Sequence, residues 1–219
     1  MTEFRYVTFD CYGTLIDWKS GIEVALGEAR GKAAAWRRDV MGAYLAAEKV
    51  EEGKYKTYRE VLRDSALRVA EGYGANMAIE KAEGFAASVP NWPAFPDSSE
   101  GLKSLGRMGL KRFILSNVDT DLLQGTIRNS GFEVDGYVTA EQIHSYKPAT
   151  GHWTAFMERT GANKEEVLHV AQSLYHDIIP TQGLGIASAW VNRYREPLPP
   201  EARPAYIADS LASLVGLLQ

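Results

Sequence analysis

Six short apolar runs punctuate the chain: Phe4 to Phe9, Arg112 to Leu115, Gly136 to Thr139, Val167 to Ala171, Ala189 to Val191 and Ala205 to Ile207. They are rich in β-branched and aromatic side chains with few alternating polar positions, the pattern of strands buried on both faces. Helix-like segments separate most of them. Strands alternating with helices predict right-handed crossovers, so the expected fold class is α/β with a doubly wound, Rossmann-like parallel sheet. The pattern breaks between about Asp17 and Pro96, where long helical stretches replace strands and read as an inserted α-helical cap. Residues 1–16 and 97–219 then form the core and 17–96 the cap. Within the cap, Trp36, Val40, Ala43, Tyr44, Ala47 and Val50 recur at three- and four-residue steps, which places them on one packing face of a helix. The return segment from Val89 to Asp97 carries three prolines, cannot continue a helix, and reads as the hinge back to the core.

Composition narrows the function classes. Lys plus Arg number 24 against 28 Asp plus Glu, a net charge of −4, which gives no general attraction to nucleic acid or an anionic membrane. No apolar stretch approaches the roughly 18 residues of a membrane span, and the N-terminus lacks the pattern of a signal peptide, so the expected compartment is the cytoplasm. Cys11 is the single cysteine; it forms no intrachain disulfide and reads as a small buried strand-end residue. No internal repeat or low-complexity segment is present. GLGIA at 183–187 has Gly-x-Gly spacing but follows a helix-like segment, the wrong context for dinucleotide binding. His144, His152, His169 and His176 show no zinc-type pair spacing, which favours structural or surface roles.

The most informative stretch is FDCYGTLID at 9–17, where a strand runs into a turn containing Gly13. Ligands collect at the carboxyl ends of strands in open parallel sheets, so Asp10 is the leading nucleophile. Thr14 offers a hydroxyl to hold Asp10 or a substrate anion. A second strand ends in ILSNVDTD, placing Ser116 and Asn117 on the same edge, with Asp119 suited to cap the following helix. In SYKPATGHW, Lys147 precedes a proline favoured in a first helical turn, so its ammonium is expected at a helix start, facing Asp10.

D-x-Y-G-T-L, followed by Ser116-Asn117 and Lys147, resembles the motif set of the haloacid dehalogenase superfamily, in its 2-haloacid dehalogenase branch, over nearly the whole chain. The resemblance implies that Ser116 contacts a substrate carboxylate, that Asn117 helps hold the departing halide, and that Lys147 pairs with Asp10. Tyr12 stands where the superfamily's phosphatases carry a second Asp; halide leaves without a proton, whereas alkoxide benefits from an acid, so this argues against phosphate monoesters. In VLHVAQSLYHD, Gln172 occupies the first acidic position of the metal-using members and Asp177 alone is acidic, so metal independence and no cofactor are expected. The branch's Ser, Asn and Asp of this loop align with Ala171, Ser173 and His176. His176 or Asp177 is left to activate water, with Asp177 also able to orient His176. Arg37 in AAWRR matches the cap arginine of the branch, with Arg38 its nearest competitor, and Trp153 stands where the branch has Tyr. Tyr12, Trp18 and Trp36 are candidate apolar walls, and Cys11, beside the nucleophile, is counted with Tyr12, Thr14, Trp18, Arg37, Ser116 and Asn117 as substrate-binding.

The implied reaction is displacement of halide from a short 2-haloacid by Asp10, then hydrolysis of the aspartyl ester to a 2-hydroxy acid. The expected partner is that small acid, and pairing through the cap, frequent in the family, makes a homodimer the expected assembly. The alternatives are a magnesium-dependent phosphatase or phosphonate hydrolase of the same superfamily and an inactive small-acid binding protein.

Overall fold

The computed structural model of the chain describes residues 4–30 and 40–219. The first apolar run forms β1 (Tyr6–Phe9), after which come α1 (Trp18–Arg30), α2 (Val40–Glu51), α3 (Tyr58–Gly72), α4 (Ile79–Ala87), a 3₁₀ turn at Val89–Asn91 and α5 (Ser98–Arg107). There follow β2 (Lys111–Ser116), α6 (Thr120–Ser130), β3 (Gly136–Thr139), α7 (Ala140–Ile143), α8 (Gly151–Thr160), β4 (Val167–Ala171), α9 (Ile179–Leu184), β5 (Ala187–Val191), β6 (Tyr206–Ala208) and α10 (Leu211–Leu218). All strand pairings are parallel and the order is β3-β2-β1-β4-β5-β6. This doubly wound order reverses direction beside β1, which opens a crevice at the carboxyl ends of β1 and β4.

Helices cover both sheet faces, which is why the strands are apolar throughout. Val7 and Phe9 belong to a cluster with Leu102, Leu122 and Leu214, while Leu115, Val138, Trp153, Phe156 and Val167 form a second one. The first cluster continues without a break into Ile22, Leu26, Leu62 and Phe85 of the helical segment between β1 and α5. Two chain crossings join that segment to the sheet: Asp17 donates its N–H to Pro93 O at 2.8 Å, Phe95 donates to Leu15 O at 3.0 Å, and Ile16 and Ala94 form an antiparallel bridge. The proline-rich return is thus an extended pairing after its 3₁₀ turn. Along α2, Tyr44 and Ala47 are buried as the helical stripe predicts, but Val50 is 59% exposed and Trp36 lies outside the described residues. The stripe ends early because the end of α2 brings Glu48, and Glu52 just past it, to a cavity instead. No helix among the described residues is long and apolar enough to cross a membrane.

Asp119 departs from its expected role. It precedes α6, yet its side chain makes no cap there; it accepts N–H bonds from Tyr58 at 2.8 Å and Arg59 at 2.9 Å, in the first turn of α3. Those N–H groups have no partner inside their own helix, so a carboxylate from the sheet side satisfies them and ties the two regions together. Tyr146 adds a second tie, donating to Lys56 O at 2.8 Å.

Candidate active site

Asp10 follows β1 directly and its backbone N–H bonds Val170 O of β4 at 3.0 Å, so the nucleophile candidate sits at the point where the strand order reverses. The turn after it depends on Gly13, whose φ of +103° excludes most side chains and whose added Cβ would lie 3.0 Å from Trp18 Nε1. Thr14, brought back by this turn, donates to Asp10 Oδ2 at 2.8 Å and accepts the N–H of Gln172 at 2.9 Å. Thr14 is buried behind Asp10, so it orients the nucleophile; it does not line the cavity with the substrate-facing groups.

Lys147 is the hub. Its fully buried ammonium donates to Asp10 Oδ1 at 2.9 Å, Leu115 O at 2.9 Å and Asp177 Oδ1 at 2.6 Å, which uses all three of its protons. It lies in the turn before α8 and not in a first helical turn, because α8 begins only at Gly151. Asn117 holds this turn in place: its Oδ1 accepts Lys147 N–H at 2.7 Å and its Nδ2 donates to Lys147 O at 3.0 Å. Burial opposes the ammonium, but the charges of Asp10 and Asp177 outweigh it and hold the Lys147 pKa above its ordinary value. Asp10 is raised by burial and by Asp177, against the lowering pull of Lys147 and Thr14.

Asp177 does not orient His176. Its Oδ1 also accepts from His169 Nε2 at 3.0 Å, and His169 Nδ1 is 2.8 Å from Thr8 Oγ1. Burial is outweighed by Lys147 and His169, which bring the Asp177 pKa down to about 2. Such a weakly basic carboxylate serves poorly as a proton acceptor at neutral pH. His176, in the π-type turn Leu174–Ile178, faces the cavity with Nδ1 3.1 Å from Ser173 Oγ. Burial lowers its pKa, keeping the imidazole neutral and able to take a proton.

Asp10, Tyr12, Trp18, Ser116, Asn117, Lys147, His176 and Asp177 share one cavity of about 220 Å³, so these sequence-predicted residues converge. Ser116 Oγ is fully buried and finds no partner among the described residues. Tyr12 bonds Thr126 Oγ1 at 3.0 Å and packs edge-on against Trp92. Cys11 is a correction: its side chain is wholly buried in the core, on the opposite side of the strand end from Asp10, and does not line the cavity. Arg37 and Arg38 lie outside the described residues. Trp153 is core, meeting His169 edge-on at 5.2 Å.

Five lining residues were not read from the sequence: Leu45 and Glu48 of α2, Glu52 just past its end, Tyr58 of α3, and Trp92. The two glutamates left a signal, one turn apart at the end of a helix whose apolar stripe they interrupt. His169 had one as well, as a polar residue in an apolar strand matching Thr8 of β1, its partner in register.

The donor set does not fit the magnesium centre of the superfamily's metal-using members. Magnesium demands several oxygen ligands, whereas Lys147 Nζ occupies the space between Asp10 and Asp177, and Gln172 replaces an acid. No group of three or more His, Cys, Asp or Glu suited to a metal occurs among the described residues.

A family model for haloacid dehalogenase-like hydrolases matches residues 4–180. Haloacetate dehalogenase H-2 of Moraxella sp. (strain B) is 26% identical over 209 residues, covering 89% of this chain and 88% of that protein. The (S)-2-haloacid dehalogenase of Pseudomonas putida is 23% identical over 234 residues, covering 100% and 98%. The solved L-2-haloacid dehalogenase from Xanthobacter autotrophicus, with chloropropionic acid covalently bound, shares the fold with a TM-score of 0.84 at 21% identity, over 98% of both chains. With the family match spanning most of its length and the motif residues converging on one cavity, the chain belongs to the haloacid dehalogenase-like hydrolases.

Proposed function

We propose that this hydrolase cleaves the carbon–halogen bond of a short 2-haloalkanoic acid. The observation that carries the reading is Asp10 itself, gripped by Lys147 and Thr14 at the floor of a small cavity, with Tyr12 where a phosphatase acid would stand. Asp10 attacks the α carbon from the side opposite the halide, the carbon–halogen bond breaks, and halide leaves with its electron pair, inverting the carbon. Ser116 Oγ supplies an unused donor for the substrate carboxylate, and Asn117 keeps one amide proton for the halide. Water then attacks the carboxyl carbon of the Asp10 ester, giving one proton to His176; the ester C–O bond breaks, the His176 imidazolium returns that proton to the departing alkoxide to give the 2-hydroxy acid, and the remaining water proton is released to solvent as Asp10 is regenerated as the carboxylate. His176 is preferred to Asp177 as the base because Asp177 is already committed to Lys147 and His169. The helices between Asp17 and Pro96 act as a cap that keeps bulk water from the ester.

Halide release from chloroacetate, fluoroacetate and 2-chloropropionate, measured in EDTA and in Mg²⁺, tests the reading. The expected outcome is release in EDTA that falls at least about a thousandfold in Asp10→Asn. No release in either buffer, with phosphoester hydrolysis in Mg²⁺, overturns it.

A further inference from the structure

The helical wall of the cavity carries two carboxyl groups that the reaction above does not use. Glu48 near the end of α2 and Glu52 just past it, whose N–H bonds Glu48 O at 2.9 Å, line the cavity of Asp10 and Lys147, and both also border an adjoining space bounded by Tyr146, Tyr175 and His176. The two are held differently. Glu48 Oε1 accepts hydroxyl bonds from Tyr58 at 2.8 Å and Tyr44 at 3.1 Å; burial pushes its carboxyl above the ordinary value, and these two donors pull it back toward the carboxylate. Among the described residues no side chain donates a hydrogen bond to Glu52, and the charge that acts on it is that of Glu48.

Among the described residues, Lys147 is the one cation paired with both Asp10 and Asp177 on the floor below them. Two like charges about 4 Å apart repel by roughly 4 kcal/mol at an effective dielectric constant near 20. An anionic haloacid meeting two ionised glutamates would be excluded from the very cavity where Ser116 Oγ awaits a partner. Two carboxyls sharing one site avoid this by keeping one proton between them.

Resting on the dehalogenase reading, we propose that Glu52 is a specificity-determining residue of the cavity wall, presenting a carboxylic acid O–H to the anionic substrate, while Glu48, bonded by two tyrosine hydroxyls, is the first of the pair to ionise. The preference for small acids then comes partly from the helical wall and not only from the sheet edge. Burial and the Glu48 charge push the Glu52 carboxyl up to about 8, consistent with a proton held through neutral pH. The other groups facing it do not share that titration. Burial drives Tyr58 and Tyr146 well above the ordinary phenol range, His176 is lowered by burial, and Lys147 is held charged by its two aspartates. Lys49 and Tyr175 complete the ionisable groups of the adjoining space.

The test measures KM for chloroacetate and the Kd of propionate, an unreactive acid followed through Trp18 and Trp92 fluorescence, from about pH 6 to about pH 10. In the wild-type protein both constants are expected to stay level to about pH 8 and then rise about tenfold per pH unit, with kcat unchanged. In Glu52→Gln, a neutral donor at every pH, the rise disappears; in Glu52→Asp, which keeps an acid, it persists. Constants that stay flat in the wild type, or that rise equally in Glu52→Gln, overturn the proposal. So does tighter binding of zwitterionic β-alanine than of propionate, since that marks an ionised pair. Propionate binding with the expected profile but no halide release sinks the dehalogenase reading alone; halide release with a flat profile sinks only the role of Glu52.

Discussion

The sheet edge and the helical wall face the same cavity but handle charge in opposite ways. At the edge the ions are paired: Lys147 spends three protons on Asp10, Leu115 O and Asp177, and Asp177 Oδ1 takes a further bond from His169. On the wall, Glu48 is met by two neutral hydroxyls and Glu52 by none from another side chain among the described residues. The difference teaches how one cavity can be both rigid and selective. Chemistry at Asp10 needs a nucleophile whose direction is fixed before substrate arrives, and the bonds of Lys147 and Thr14 supply that. Recognition needs groups whose bonds are still open, and Ser116 Oγ at the edge and Glu52 on the wall both supply them.

If the ions of the edge are paired, removing their hub should have the largest effect. Lys147→Met leaves Asp10 and Asp177 buried without their counter-charge, and breaking such a pair costs about 3–5 kcal/mol. Urea unfolding should show that loss together with abolished halide release; a variant as stable as wild type would mean that the network contributes little to the fold.

Acid should come next. Burial lowers the pKa of His152 from 6.5 to about 3, and burial lowers His169 too, despite Asp177 beside it. A folded-state value below the unfolded one means the unfolded chain takes up the proton first. The stability tied to these neutral histidines is therefore complete above pH 6.5 and is lost as pH falls toward about 3. Asp177, held at about 2 by Lys147 and His169 against burial, adds a loss that begins only below the ordinary 3.8. The neutral histidines by themselves predict a decline in unfolding free energy of about 3 kcal/mol between neutral pH and pH 4; Glu52, raised to about 8 by burial and the Glu48 charge, acts in the opposite direction because the folded chain holds its proton first, so the decline is read in Glu52→Gln. In that variant a urea midpoint that rises on acidification would contradict the assignment of buried, neutral imidazoles.

The smallest effect sharpens the boundary between edge and wall. Asp119→Ala frees the first-turn N–H groups of Tyr58 and Arg59, and loss of a helix cap costs about 1–2 kcal/mol. Because Tyr58 also anchors Glu48, KM should rise more than kcat falls. Equal changes in both would place Asp119 in the chemistry instead.

Much of this was legible in the chain. The six strands lie within a few residues of the apolar runs, because burial on both faces leaves a local signature. Asp10, Lys147 and His176 were legible because strand-end turns and a proline-marked loop announce themselves over a few positions. Cys11 misled, since adjacency to Asp10 says nothing about facing: successive residues at a strand end point to opposite sides. Asp119 misled because a capping side chain was assigned to its own helix, whereas the N–H groups it meets belong to a helix 61 residues earlier.

What the amino-acid sequence determined by itself is what short-range physics encodes: strand and helix periodicity, turn chemistry at Gly13, and the few polar residues that apolar strands deliver to their ends. What only the tertiary structure decided is pairing. Lys147 reaches Asp10 across 137 positions of chain, and His169 finds Thr8 across 161, because the sheet order sets β4 beside β1. Electrostatic partners are chosen by distance in space, and a parallel sheet with helical crossovers puts that distance under the control of topology and not of sequence separation. The two glutamates belong to the same class: one turn apart at a helix end they are ordinary, and only the packing of α2 over the sheet edge makes them part of the site.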